Sequence, residues 1–291
     1  MQRKQFDADL ILTADWHLRE DSPVCRTDDI WEAEWNKVAQ IVALNLPILH
    51  AGDLFNKWNG SPRLISQFIL HILDDYGFKQ YFKTVYGNHD LPQHNLDLFD
   101  KTALHTLEVA GALDVVMGGH WGQEPDEASL NFQGRSILLW HVMTFKGKKP
   151  WPGCTDLSAK QILRKYPMYD LIVTGHNHKS FTEEYQGRIL VNPGSILRMS
   201  ADQYKSKPCV YLYNAKQHAI KRHILTYNSG CISRVHLQQQ RTKKQRYTAF
   251  MRSVQAKTGK QLKFEDNLEM FFKQHNTAQE IKQCIYDSME K

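Results

Sequence analysis

The sequence predicts an α/β fold: two mixed β-sheets packed as a sandwich and flanked by helices, with a small helical C-terminal appendage. Short apolar runs alternate with helical stripes through the first half, the second half turns strand-rich, and a basic polar stretch then gives way to helical sequence. With 291 residues the chain can form one large domain and a small second unit. A composition 42% hydrophobic and 23% charged is that of a globular protein.

The elements follow in order. "DLILTA" (Asp9 to Ala14) is an apolar run of strand length. In "TDDIWEAEWNKVAQIVA" the apolar positions Ile30, Ala33, Trp35, Val38, Ile41 and Val42 recur at helical spacing. "LPILHAG" is the next strand, and "SPRLISQFILHILDDYGF" opens on Ser61 and Pro62, a capping pair that starts a helix. "FKTVYGNHD" reads as strand into loop, "LDLFDKTALHTLEVAGA" as one helix and "LDVVMG" as a strand. Further on, "SILLWHV", "DLIVTGH", "RILVNPGS", "PCVYLYN" and "HAIKRHIL" read as strands, with "SAKQILRKYP" the helix among them.

The pattern stops around residues 227–240, at "QQQRTKKQR", which sets a boundary between 1–233 and 234–291. Beyond it "QRYTAFMRSVQAKTG" and "NLEMFFKQHNTAQEIKQCIYDSMEK" read as helices, the second broken near Asn276. Charge divides at the same place. Residues 1–233 hold 25 Lys+Arg against 25 Asp+Glu and residues 234–291 hold 12 against 6, so the whole net charge of +6 lies in the tail. Such a tail attracts polyanions, although a charge run of this kind also describes a solvated helical face.

Cys25, Cys154, Cys209, Cys231 and Cys284 are odd in number and form no CxxC pair, so they read as free thiols rather than a disulfide framework or a cysteine zinc site. No apolar stretch reaches the roughly 18 to 20 residues of a membrane span. Asp7, Asp9 and Asp15 interrupt the opening before a signal-peptide core develops. A cytoplasmic location without membrane association is expected.

Each apolar run of the α/β part is followed at once by metal-ligand chemistry: Asp15 and His17, Asp53, Asn88 and His89, His141, then His176 and His178. Ligands collect at the carboxyl ends of strands in open α/β sheets, so these segments can converge on one cleft. Imidazole with carboxylate suits manganese, iron or zinc rather than the all-oxygen shells of calcium and magnesium. Two such ions about 3.5 to 4 Å apart can share a hydroxide and clamp both oxygens of an in-line phosphoryl displacement. Metal-assisted hydrolysis of a phosphoester is therefore the expected reaction class.

The motifs "DWH" at 15–17, "GDLF" at 52–55, "GNHD" at 87–90, the lone His141 and "GHNH" at 175–178 resemble, in this order, the signature of the calcineurin-like metallophosphoesterases. Each piece alone is common; five in sequence, each after a strand, are specific. The resemblance implies the four-layer fold of that superfamily. It implies that Asp15, His17 and His178 hold one ion, that Asn88, His141 and His176 hold the other, and that Asp53 bridges them. His89 matches the histidine that contacts the scissile phosphate and helps the leaving oxygen depart. Asp90 is expected to orient it, since a working imidazole needs a partner on its other nitrogen. Gly175 is expected to let the backbone approach, and Asn177 to take unusual dihedrals.

Within the superfamily "NPGSILRMS", "DWHLRED" and "HAGDLFNKWNGSPRLISQFILHIL" resemble the SbcD-type DNA repair nucleases over about residues 8–214, with Arg19 where that group has glycine. This second resemblance implies a manganese-dependent DNA exo- or endonuclease, with DNA as substrate, an SMC-like ATPase of SbcC type as partner, and a homodimer through the helix after GDLF. The residues after 233 are too few for that group's cap plus its partner-binding arm, so the tail is a reduced cap, a partner-binding element or neither. The alternative is a small-substrate phosphodiesterase or phosphatase of the same superfamily, acting on cyclic nucleotides or dinucleoside polyphosphates. Ser195, Arg198 and Lys179 stand near the site as candidates to steer phosphate oxygens, and Trp16 is expected to pack the core.

Overall fold

The computed structural model describes residues 6–76, 82–235, 237, 242, 245–249, 252 and 264–289. The chain divides into two compact units, Met1–Ser233 and Arg234–Lys291. In the first, the described residues form eleven strands in two sheets: β1 (Leu10–Thr13), β2 (Ile48–His50), β3 (Phe82–Thr84), β4 (Asp114–Val115), β5 (Leu130–Phe132), β6 (Arg135–Trp140), β7 (Leu171–Thr174), β8 (Phe181–Tyr185), β9 (Arg188–Asn192), β10 (Cys209–Asn214) and β11 (Ala219–Ile224). One sheet runs β11-β10-β1-β2-β3-β4 and the other β5-β6-β7-β9-β8. β1 through β4 are mutually parallel, as are β6, β7 and β9, while β10, β11, β5 and β8 pair antiparallel, so both sheets are mixed as expected.

The central strands read as continuous apolar runs because both of their faces are buried. Side chains alternate between faces along a strand. Leu10 and Leu12, Ile137 and Leu139, Leu171 and Val173, and Ile189 and Val191 form one core cluster between the sheets. Ile11 and Ile48 turn the other way, onto α1 (Ile30–Val42) and α2 (Pro62–Tyr76). Leu138, Ile172 and Leu190 turn onto α4 (Ala159–Lys165). The result is a helix, sheet, sheet, helix sandwich.

The helices start where the sequence supplies caps. Asp29 accepts the Trp31 amide at 2.9 Å, and Ser61 accepts that of Leu64 at 3.2 Å. Residues 96–109 differ from the single helix expected. Leu96–Lys101 is a 3-10 segment, Thr102 leaves helical geometry (φ −100°, ψ 155°) and caps α3 (Ala103–Val109) through its hydroxyl. The Thr102 side chain offers the backbone an alternative to the helical ladder, and the chain takes it. β5 and β8, absent from the expected strands, are only partly buried, so their sequences lack an apolar run.

In the second unit the break expected near Asn276 separates two helices, Phe264–Gln274 and Gln279–Met289, and Asn276 has φ 47°. Phe272 is buried there beside Tyr286, at 5.9 Å between ring centroids. Much of the helix expected over "QRYTAFMRSVQAKTG" lies outside the described residues. No helix among the described residues is long and apolar enough to cross a membrane.

Trp16 packs the core. It is fully buried, donates through Nε1 to Thr13 at 2.8 Å and sits edge-on to His50 and Phe82. Trp16→Ala should cost about 3 to 5 kcal/mol of stability through the cavity it leaves, measured as a lowered midpoint in urea. A loss below about 1 kcal/mol would mean that this indole does not anchor the loop.

Candidate metal centre

The site lies past the carboxyl ends of the parallel strands. Beyond β1 and β2 the two loops stay zipped together: Asp15 N–H donates to Gly52 O (3.0 Å), His17 N–H to Asp53 O (3.0 Å) and Leu18 N–H to Leu54 O (2.9 Å). Parallel pairing thus continues into irregular backbone, holding Asp15 and His17 beside Asp53. The loops also carry unusual dihedrals. Asp15, His17, Asp53 and His176 have φ of 52°, 49°, 59° and 74°, conformations that cost non-glycine residues and cluster at functional sites.

Asp53 is the meeting point. Its Oδ1 accepts the His89 amide at 2.8 Å, while Oδ2 lies 3.5 Å from His17 Nε2 and 3.4 Å from His141 Nε2. On one side His17 Nε2 is 3.0 Å from His178 Nε2 and 4.0 Å from Asp15 Oδ1. On the other, Asn88 Oδ1 is 3.1 Å from His141 Nε2 and 2.8 Å from His176 Nδ1. The side chains gather around Asp53: Asp15, His17 and His178 lie together, Asp53 and His17 lie with His89, and Asp53 lies with His141 and His176, both of which Asn88 meets.

The residues fit a pair of cations. Asp15 Oδ2 and His17 Nδ1 are buried without a hydrogen-bond partner among the described residues, and Asp15 lies at the end of the first donor set. An unpaired buried carboxylate oxygen is costly unless a cation meets it. His141 donates from Nδ1 to Ala51 O at 2.7 Å, which fixes its tautomer and leaves Nε2 facing the centre. Asp15, His17, His178, Asn88, His141, His176 and Asp53 are the residues that could hold two divalent ions.

Electrostatics follow from burial opposed by neighbours. Burial pushes Asp15 up and His17 well down. Burial also raises Asp53, but His141 and His17 outweigh it and hold the carboxyl below its ordinary value. The same carboxylate overcomes desolvation at His141 and lifts it to about 9, while burial and then His141 lower His176 to about 4.

Several residues differ from their expected roles. Asp90 does not orient His89. It is buried and accepts the amides of Asp53 (2.8 Å), Leu54 (3.3 Å), Phe55 (3.1 Å) and Gly87 (3.0 Å), tying two ligand loops together. The partner of His89 Nδ1 is the Asn56 carbonyl at 2.8 Å, and the Arg19 guanidinium in turn reaches Asn56 Oδ1 at 3.3 Å. The unusual dihedral in "GHNH" falls on His176, not Asn177, whose side chain instead donates to Thr144 O at 2.7 Å. Gly175 meets its expectation: a Cβ there would collide with Ala51 O and the His141 ring. Arg198 is spent on the carbonyls of Tyr204, Ser229 and Asn228 and on Cys231, and Ser195 bonds Leu197, so neither is free for phosphate. Lys179 is exposed.

Three supporting residues gave little signal in the sequence. Trp121 stacks on His176 at 4.8 Å and meets His141 edge-on. Buried Asn192 donates to the carbonyls of Asn177 (2.6 Å) and Lys179 (2.8 Å), bracing the 176–178 loop. His94 bonds the Asn88 carbonyl at 2.9 Å. None is a ligand, and only the motif boundaries around them pointed to the site. Among the described residues of 1–233 the cysteines and the other histidines stay outside it: Cys25, Cys154, Cys209 and Cys231 are free thiols, and His50 and His120 bond Thr84 and the Tyr86 amide.

Residues 9–217 match the calcineurin-like phosphoesterase superfamily domain, and the chain belongs to that superfamily. It is accordingly a member of a class of metal-dependent phosphoester hydrolases that use two divalent ions. No curated protein matches it. Among solved structures it is similar to an archaeal phosphodiesterase (14% identity, 74% of this chain and 99% of that one, TM-score 0.43). It is also similar to vacuolar protein sorting 29 of Cryptosporidium parvum (16%, 75% and 96%, 0.38) and to a putative 5′-nucleotidase of Staphylococcus aureus (10%, 79% and 57%, 0.42). At these scores the likenesses carry no argument about substrate.

Asp90→Asn should cost on the order of 3 kcal/mol, because amides now bonded to a buried carboxylate face a group that is half donor, and should weaken divalent-ion binding. Denaturation and ion titration check both. Wild-type stability with slowed turnover alone would return Asp90 to the role of orienting His89.

Proposed function

We propose that the chain is a manganese-dependent nuclease of SbcD type that hydrolyses phosphodiester bonds of DNA at the Asp53-centred cluster. The observation that carries the reading is the convergence of six donors, three on each side, on one buried carboxylate. The nuclease specificity draws its support from the "NPGSILRMS" turn and the "GDLF" segment leading into α2.

When bound, two divalent ions would supply Lewis acidity and an activated water at neutral pH. The chain's own part is to hold and position. Asp53 sits between the donor sets and stays ionised because the imidazoles around it favour its charge. His141 is fixed by Ala51, and His176 is held against Trp121. His89 keeps Nδ1–H on the Asn56 carbonyl, which leaves Nε2 to contact the scissile phosphate and, when the ring carries its second proton there, to pass that proton to the departing oxygen. Its ring lies 4.7 Å from that of His17, at the edge of the cluster.

His89→Ala should lower turnover about 10²- to 10⁴-fold, the usual range for a lost general acid, while keeping ion binding. Asp53→Ala should lose both. The assay is manganese-dependent cleavage of end-labelled single- and double-stranded DNA beside bis-p-nitrophenyl phosphate and 2′,3′-cyclic nucleotides. Cleavage of DNA that Asp53→Ala abolishes supports the nuclease. Turnover of the small esters alone would replace it with a nucleotide phosphodiesterase, and equal loss of ion from both variants would make His89 a ligand.

A further inference from the structure

A groove of about 380 Å³ opens beside the metal centre, and His178 belongs to both. It crosses the turn at 193–195, which Gly194 (φ 73°) lets pack directly on the backbone of His178 and Ser180. Lys179, Lys205, Lys207 and Arg222 line it together with serines, and no carboxylate does.

Residues 1–233 are charge-balanced, with 25 Lys+Arg and 25 Asp+Glu. Elsewhere some cations, among them Arg26, Lys83, Arg135, Lys146 and Lys165, face a carboxylate within 4.0 Å, and others, such as Arg19 and Arg188, bond carbonyl and amide oxygens; what marks the groove is that four of them share it with no carboxylate in its lining. Among the described residues the four cations of the groove make no ion pair. Arg222 is held in place by Cys209 Sγ at 3.1 Å and Lys207 O at 3.0 Å, and its Nη1 has no partner among the described residues. Cations gathered without counterions raise the local concentration of anions and hold the one that fits.

The geometry points to this groove as the seat of the phosphates that flank the scissile one, so that the substrate is a phosphate chain rather than an isolated ester. The inference rests on the hydrolase reading above, since it places the scissile phosphate at the cluster that His178 joins. The ligand chemistry is a run of phosphodiester or phosphoanhydride groups, which a nucleic acid strand and a dinucleoside polyphosphate share. Lys179 would meet the phosphate next to the centre, and Lys205, Lys207 and Arg222 those further out. These are binding and positioning residues with no part in the bond-breaking step.

The test measures binding of a fluorescent ten-nucleotide DNA strand to the full-length chain in EDTA, where the strand is not cut, across a range of salt. Each phosphate contact on a single strand contributes about 0.7 to the slope of log affinity against log salt. The double variant Lys205→Gln, Lys207→Gln should therefore lower the slope by about 1.4 and weaken binding about tenfold, and Lys205→Arg with Lys207→Arg should restore both. An unchanged slope in the glutamine variant overturns the inference. Diadenosine tetraphosphate as competitor separates the two sources: weaker competition than by the strand identifies nucleic acid, and equal competition identifies the short chain. Because this readout needs no turnover, a wild-type protein that hydrolyses neither ester nor strand would sink the hydrolase reading while leaving the groove to be judged by its slope.

Discussion

Asp53 carries a charge in a place where water cannot reach it, and the surroundings are arranged to make that tolerable. One of its oxygens takes a backbone amide and the other lies between two imidazoles on opposite sides. A buried carboxylate left without such partners would cost several kcal/mol or take up a proton. The 87–90 loop is anchored to this residue directly and through Asp90, which ties the backbone at 53–55 to Gly87, while the 176–178 loop is anchored to Asp15, whose Oδ1 accepts the His176 amide at 2.9 Å. His141 is then fixed from behind by the Ala51 carbonyl, so that its Nε2 faces the centre.

The fold makes this convergence affordable by placing all five loops at the same ends of parallel strands. β1, β2 and β3 bring Asp15, His17, Asp53 and Asn88 from one sheet, while β6 and β7 bring His141, His176 and His178 from the other. The centre therefore spans the seam between the sheets. The positive φ at Asp15, His17, Asp53 and His176 is strain of about 1 to 3 kcal/mol per residue that the packed apolar clusters beneath must offset. A closely packed interior resists relaxation, so the donors keep their positions even though like-charged and unpaired groups crowd together.

The strands and the candidate ligands are legible because burial on both faces produces apolar runs, and because the residue types that follow those runs are ones that can bind ions. What escaped was set by tertiary contacts with no local signature. Thr102 could cap or continue a helix, and only the packing of residues 96–109 decides. The half-buried strands β5 and β8 carry no apolar run. Asp90 beside His89 looked like its partner because neighbours in sequence suggest neighbours in space, yet its carboxylate turns to the backbone of another loop. Trp121 and Asn192 act on His176 and its loop from distant segments, and the free cations around Arg222 gather only when β10, β11 and the 178–180 loop meet.

The measurement that bears most directly on this account is the ion content of the full-length protein after loading with manganese and removal of free metal, by elemental analysis. The two-sided donor set predicts about two ions per chain in the wild type, and fewer than about one in Asp53→Ala, accompanied by loss of the melting-temperature rise that ion binding confers. A wild-type protein that retains no ion, or an Asp53→Ala variant loaded as fully as the wild type, would contradict the claim that this carboxylate organises a two-metal centre.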